Sequence, residues 1–82
     1  MNKLLIKKYI DKLTIKDIIN FCFKNNLAIS NDESIIVYNF IRTNWEKILE
    51  KDESCFIKIK PQISIELYNF GYSLYQKNKS NF

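Results

Sequence analysis

The sequence predicts an all-α fold: a small bundle of four main helices near residues 2–12, 14–25, 31–50 and 62–77, with residues 54–60 open to a fifth short helix. Three observations carry this expectation. Apolar residues recur at helical rather than strand spacing along most of the chain. Two of the four stretches begin with a Ser or Thr followed three residues later by an acidic residue, the signature of a capping box. The chain contains one Gly and one Pro, too few to supply the turns that a sheet of short strands requires.

Residues 2–12 place Leu5, Ile6, Tyr9, Ile10 and Leu13 on one face and turn Lys7, Lys8, Asp11 and Lys12 away from it. Thr14 and Asp17 mark the next start. Ile15, Ile18, Ile19, Phe21, Cys22 and Phe23 then cover more than half of the helix circumference, and Asn25-Asn26 reads as its stop. Ser30 and Glu33 open the longest helix, with Asp32 and Glu33 placed where the helix dipole favours negative charge. On that helix Val37, Tyr38, Ile41, Trp45, Ile48 and Leu49 share a face, while Asn39, Thr43, Glu46 and Glu50 lie opposite. Ile36 and Phe40 fall off this stripe, so the first half of the helix is apolar on two sides and is expected to be central. Glu46 and Glu50 sit near Arg42, Lys47 and Lys51, which reads as a salt-bridged surface.

Residues 54–60 are ambiguous. Cys55, Ile57 and Ile59 alternate with Phe56, Lys58 and Lys60 in strand fashion, yet a lone strand has nothing to pair with; a short helix capped by Ser54 is the other reading. Pro61 biases Lys60 away from helical geometry, so the last helix starts between Pro61 and Ile65. The expected core is Ile6, Ile10, Leu13, Ile18, Phe21, Cys22, Val37, Ile41, Trp45, Ile48, Leu67, Phe70 and Leu74.

Length and composition bound the function. A chain of 82 residues supports one domain with a modest core. The net charge of +4 is uneven: residues 32–53 are acidic, and both flanks are basic. The start MNKLLIKKYI is interrupted by Lys7 and Lys8 and is not followed by a cleavage-site pattern, and no run is long enough to span a bilayer, so a cytoplasmic protein without membrane contact is expected. Cys22 and Cys55 without any His give neither a Cys/His zinc site nor a disulfide framework. With no His, no Gly-rich phosphate loop and no nucleophile beside a base, a catalytic constellation cannot be drawn; neither an enzyme nor a cofactor is expected. A helix-turn-helix reader is disfavoured too, because the helix that would enter the groove begins Asn31-Asp32-Glu33.

The last helix is where function is sought. Ile63, Leu67, Phe70 and Leu74 form a core-facing stripe; Tyr68, Tyr72 and Tyr75, with Ile65 beside them, form a second. Either the tyrosines pack on the first helix with their hydroxyls in water, or they are an exposed aromatic patch that binds a protein partner or a second copy of the chain. The alternative function is weak nucleic-acid binding, with Lys3, Lys7, Lys8 and Lys12 meeting phosphates and the tyrosines stacking on bases. From Ile10 to about Thr43 the order of short helix, Leu13-Thr14-x-x-Asp17, apolar helix with a polar end, Ile29-Ser30 turn and long helix resembles a small all-α family of low-GC bacteria described as a domain of unknown function. The resemblance implies a cytoplasmic all-α protein, carries over no site residues and has no counterpart for the tyrosine-rich helix.

Overall fold

The computed structural model describes residues 2–82 and contains five α-helices in the order α1 (Lys3–Lys12), α2 (Ile15–Lys24), α3 (Asn31–Leu49), α4 (Ser54–Ile59) and α5 (Ile65–Asn78). Short 3₁₀ turns follow α4 at Lys60–Gln62 and α5 at Lys79–Asn81, and no strand occurs among the described residues. The helix starts follow from side chains that satisfy orphan backbone N–H groups. The Asn2 side chain accepts from the N–H groups of Leu4 and Leu5, and both capping boxes are complete, Thr14 with Asp17 and Ser30 with Glu33. Ser64 caps α5 by accepting from the Leu67 N–H.

Two helix ends are equally well defined. Asn26 and Lys51 adopt left-handed backbone, with φ of 58° and 61°. Each is followed by a residue whose N–H reaches back five positions, Leu27 to the Cys22 carbonyl and Asp52 to the Lys47 carbonyl, both at 2.9 Å. These are Schellman ends, and they turn the chain sharply enough for α2 and α3, and then α3 and α4, to pack on each other.

The long α3 is the central helix. It packs against α1, α2 and α4, and most of its apolar residues are half-buried rather than sealed. Its one fully enclosed side chain is Ser34, whose hydroxyl donates to the Asn31 carbonyl at 2.6 Å, as a buried polar group must. The buried apolar residues come instead from the flanking helices: Ile18 and Cys22 on α2, Cys55, Phe56 and Ile59 on α4, and Leu67 and Tyr75 on α5.

One open reading is settled and three expectations are corrected by this packing. Residues 54–59 are helix, and helical spacing buries Cys55, Phe56 and Ile59 while leaving Ile57 74% exposed, where alternation would have put Ile57 with Cys55 and Ile59. Ser54 is the first helical residue rather than a cap; its N–H and hydroxyl donate to the Asp52 carboxylate at 3.0 and 2.7 Å. Phe21, expected in the core, is 49% exposed, and α1 buries nothing fully, leaving Ile6 and Ile10 half-covered. The Glu46 and Glu50 side forms no ion pairs: among the described residues the one ion pair is Lys7 with Asp11, and Arg42 lies over the Tyr38 ring while donating to its hydroxyl at 3.2 Å. At more than half exposure, the Lys7–Asp11 pair adds little to stability.

Candidate interaction groove

The start of α5 is held by one carboxylate. Glu33 accepts from the Ser30 N–H at 3.1 Å through Oε1, closing its own capping box, and from the Ser64 N–H at 2.8 Å through Oε2. It thereby clasps the first turns of α3 and α5 together across 31 residues of chain. The bonds from Ser64 and then Ser30 lower the Glu33 pKa below its ordinary 4.5. A lowered carboxylate pKa contributes stability that is present above the unfolded value and lost as pH falls through the folded one. Glu33→Gln should therefore cost about 1 kcal/mol at neutral pH, a modest figure because the carboxylate faces water. The gap between the two proteins should close as thermal melts are repeated below pH 4.5. An equal gap at every pH would remove the clasp from the account.

The tyrosine stripe on α5 is covered, and by an element other than α1. Tyr75 is 5% exposed and sits in a cluster with Cys55 and Phe56, against which Tyr68, Tyr72, Phe40, Ile48 and Phe82 pack. The Phe56 ring meets Tyr72 edge-on at 5.5 Å and Tyr75 at 5.0 Å; Tyr68 and Tyr72 lie parallel at 6.0 Å. The Tyr72 hydroxyl donates to Glu53 Oε1 at 2.6 Å, which raises the Tyr72 pKa, and the Lys60 ammonium stands 5.3 Å over the Tyr68 ring. Of the two readings left open for the stripe, an exposed ridge and burial under α1, the structure gives burial under α4 instead: Tyr75 is core, Tyr68 and Tyr72 are half-buried, and of the four residues considered for a partner only Ile65 stands free, 57% exposed. The physical reason is α4, whose helical turn brings Phe56 onto the stripe, together with the C-terminal Phe82, 6.1 Å from Tyr75. Lys3, Lys7, Lys8 and Lys12 are all exposed on α1, with Lys7 engaged by Asp11; α1 packs on α3, so the lysines and the tyrosines do not share an element.

The Tyr75 hydroxyl is buried and has no partner in hydrogen-bonding geometry, although burial, and after it the nearby Glu53 charge, raises its pKa. An orphan buried hydroxyl costs roughly 1–3 kcal/mol. Tyr75→Phe should therefore raise the urea midpoint, by the equivalent of about 1 kcal/mol. A loss of stability would show that Glu53 does hold the hydroxyl.

A groove of about 560 Å³ opens among α2, α3, α4 and α5, and both the Phe70–Leu74 side and the tyrosine side of α5 line it. Its walls include Ile18, Phe21 and Cys22 from α2, Val37 and Ile41 from α3, Phe56 and Ile59 from α4, and Leu67, Phe70, Leu74 and Tyr75 from α5. Phe21 and Phe70 face each other at 5.9 Å, and Gly71, exposed in the middle of α5, lines the space beside them. A Cβ added at Gly71 would meet no other atom within 4 Å, so the glycine is not required by any close contact inside the chain. Asp17 is the one charged residue on the lining, and its carboxylate is already committed to the Thr14 N–H at 3.0 Å.

Chemically the groove offers burial and little else. The Cys22 thiol is pushed above its ordinary pKa by burial and then by the Glu33 charge, the opposite of what a nucleophile needs. No group of three or more His, Cys, Asp or Glu that could hold a metal occurs among the described residues, and no helix there is long and apolar enough to cross a membrane. The groove itself left no mark that sequence reasoning could use beyond the lone Gly71, because a hole is a product of how four helices meet. No family model matches the chain, and no match was found among curated proteins or solved structures.

Proposed function

We propose that the chain is a non-catalytic interaction module that binds a polypeptide through the groove between α2 and α5, approached along the Phe70–Gly71–Leu74 side of the last helix. The observation that carries this reading is the glycine. Gly in a helix interior costs about 1 kcal/mol relative to Ala, and Gly71 has no neighbour in the monomer that would forbid a side chain. What a bare backbone permits at that point is the close approach of something outside the chain, over an apolar surface that water would otherwise cover.

Three substitutions test the proposal. Gly71→Ala should raise the melting temperature by several degrees, since it restores helix propensity without a clash. Gly71→Trp should fold with unchanged helicity while filling the groove. A photo-reactive benzoylphenylalanine in place of Phe21, irradiated in cells, should then yield a discrete polypeptide adduct that disappears when Gly71→Trp is added. Absence of any adduct, or an adduct indifferent to the Trp, would overturn the reading.

A further inference from the structure

We infer that α1 is a membrane-surface contact: its outer flank, where Leu4, Leu5 and Tyr9 are interleaved with Lys8 and Lys12, lies against the headgroups of a bilayer that contains anionic phospholipid. No residue of α1 lines the groove, so this surface is separate from the one above and leaves it open to its own partner.

Helical spacing joins the five residues into one patch. Leu5 and Tyr9, Leu4 and Lys8, and Lys8 and Lys12 are each one turn apart, and Lys8 and Lys12 follow Leu5 and Tyr9 by three positions. Ile6 and Ile10 form the half-buried side of the helix, which packs on α3. Leu4 is 74%, Leu5 50% and Tyr9 67% exposed, so three of the eight large apolar side chains that stand exposed among the described residues fall within six positions of one short helix. Single exposed apolar side chains are ordinary, whereas a cluster of them marks a surface that something covers.

The charges say what covers it. Lys3, Lys7, Lys8 and Lys12 are all exposed, and the one carboxylate of α1, Asp11, is bonded to Lys7 at 2.8 Å and stands about 120° round the helix from Leu5. The complement of such a flank has to be negative and also has to accept aliphatic side chains. An anionic bilayer does both: leucines enter the acyl boundary, a tyrosine ring sits at headgroup level, and lysine stems lie along the apolar layer while their ammonium groups reach the phosphates. Nucleic acid offers phosphates to the lysines and a base to Tyr9, but nothing to Leu4 and Leu5.

The helix is also formed before it meets the membrane. Asn2 caps it and α3 supports it, so the ordering that a free ten-residue peptide would undergo at the lipid surface is already complete. The contact is peripheral. No helix of the described residues is long and apolar enough to cross a bilayer, and the shortness of the apolar runs in the sequence bears on spans alone.

The experiment uses the purified full chain and vesicles of phosphatidylcholine, either alone or with about one quarter phosphatidylserine to make the surface negative. Co-sedimentation at low salt should recover the protein with the charged vesicles and leave it in solution with the uncharged ones. Salt raised to about 1 M, where the Debye length falls to about 3 Å, should release most of it. Lys8→Gln with Lys12→Gln should lower the partition about 25-fold, at roughly fivefold for each lysine near an anionic surface. Leu4→Gln with Leu5→Gln should lower it about tenfold or more at unchanged helicity, because both positions are exposed and Gln keeps the helix propensity of Leu. In an otherwise native chain, Tyr9→Trp should add a fluorescence component, over that of Trp45, which moves to shorter wavelength on charged vesicles and is quenched by brominated acyl chains. Equal partition onto both kinds of vesicle, or leucine variants that bind as the native protein does, overturns the proposal. Binding to single-stranded RNA with none to vesicles also overturns it and returns the lysines to the nucleic-acid reading, and binding to neither removes both.

Discussion

Replacing Phe56 by Ala should cost about 3–5 kcal/mol, against a total of roughly 4–12 kcal/mol for a chain of 82 residues. Phe56 is 8% exposed and meets three other rings, Phe40 at 5.6 Å, Tyr72 at 5.5 Å and Tyr75 at 5.0 Å. Truncation would remove the burial of the ring, the aromatic contacts and the cover that α4 gives to α5. Because α4 has only six residues and no side-chain cap, it has no means of holding its helical form once that anchor is gone. Urea unfolding followed by far-ultraviolet circular dichroism and by Trp45 fluorescence should show a midpoint displaced toward zero denaturant. A change below about 1 kcal/mol would mean that α4 is an appendage and that the tyrosines are held by something else.

The second large effect is expected at Leu67, 5% exposed, which reaches the floor of the groove from the first turns of α5. Leu67→Ala should cost about 2–4 kcal/mol, in the lower part of the range for buried leucines, because the space it vacates runs into a groove that is already open instead of forming a sealed void. Ile65, two residues earlier and 57% exposed, supplies the internal control: Ile65→Ala should stay within about 0.5 kcal/mol of the native protein. Equal losses at the two positions would show that α5 is rotated relative to the faces described above.

What was legible in the sequence is what is decided locally. Thr14 with Asp17 and Ser30 with Glu33 satisfy backbone groups within a single turn, so the starts of α2 and α3 could be read from four residues. Asn26 likewise marks the end of α2, because Asn tolerates the left-handed backbone that a Schellman end requires; Lys51 does the same at the end of α3 but carries no such signal in its residue type. Residues 54–59 were unreadable since six residues fit periods of 2 and 3.6 almost equally well, and the tertiary contacts of Phe56 settle the matter. The cover over the tyrosines was open for the same reason at a larger scale. Their spacing shows that they form a ridge, but which element lies on that ridge depended on the segment whose structure was open. Of the candidate site, Phe70 and Leu74 were visible as apolar positions on α5, while the recess between them and α2 and the exposure of Phe21 depend on how the helices are spaced.

The Glu33 clasp also bears on the order in which the chain folds. Both capping boxes and both Schellman ends close within single helices, on the timescale of helix formation. The bond from Ser64 to Glu33 must wait, because its two ends are separated by 31 residues and the loss of chain entropy on closing that loop has to be balanced by α4 and the following turn already lying in place. Contacts of this kind belong to the late side of the folding barrier, where they govern the rate of opening more than the rate of formation. The carboxylate that starts the longest helix therefore also acts as its latch, closing when α5 arrives and setting how long the finished arrangement persists.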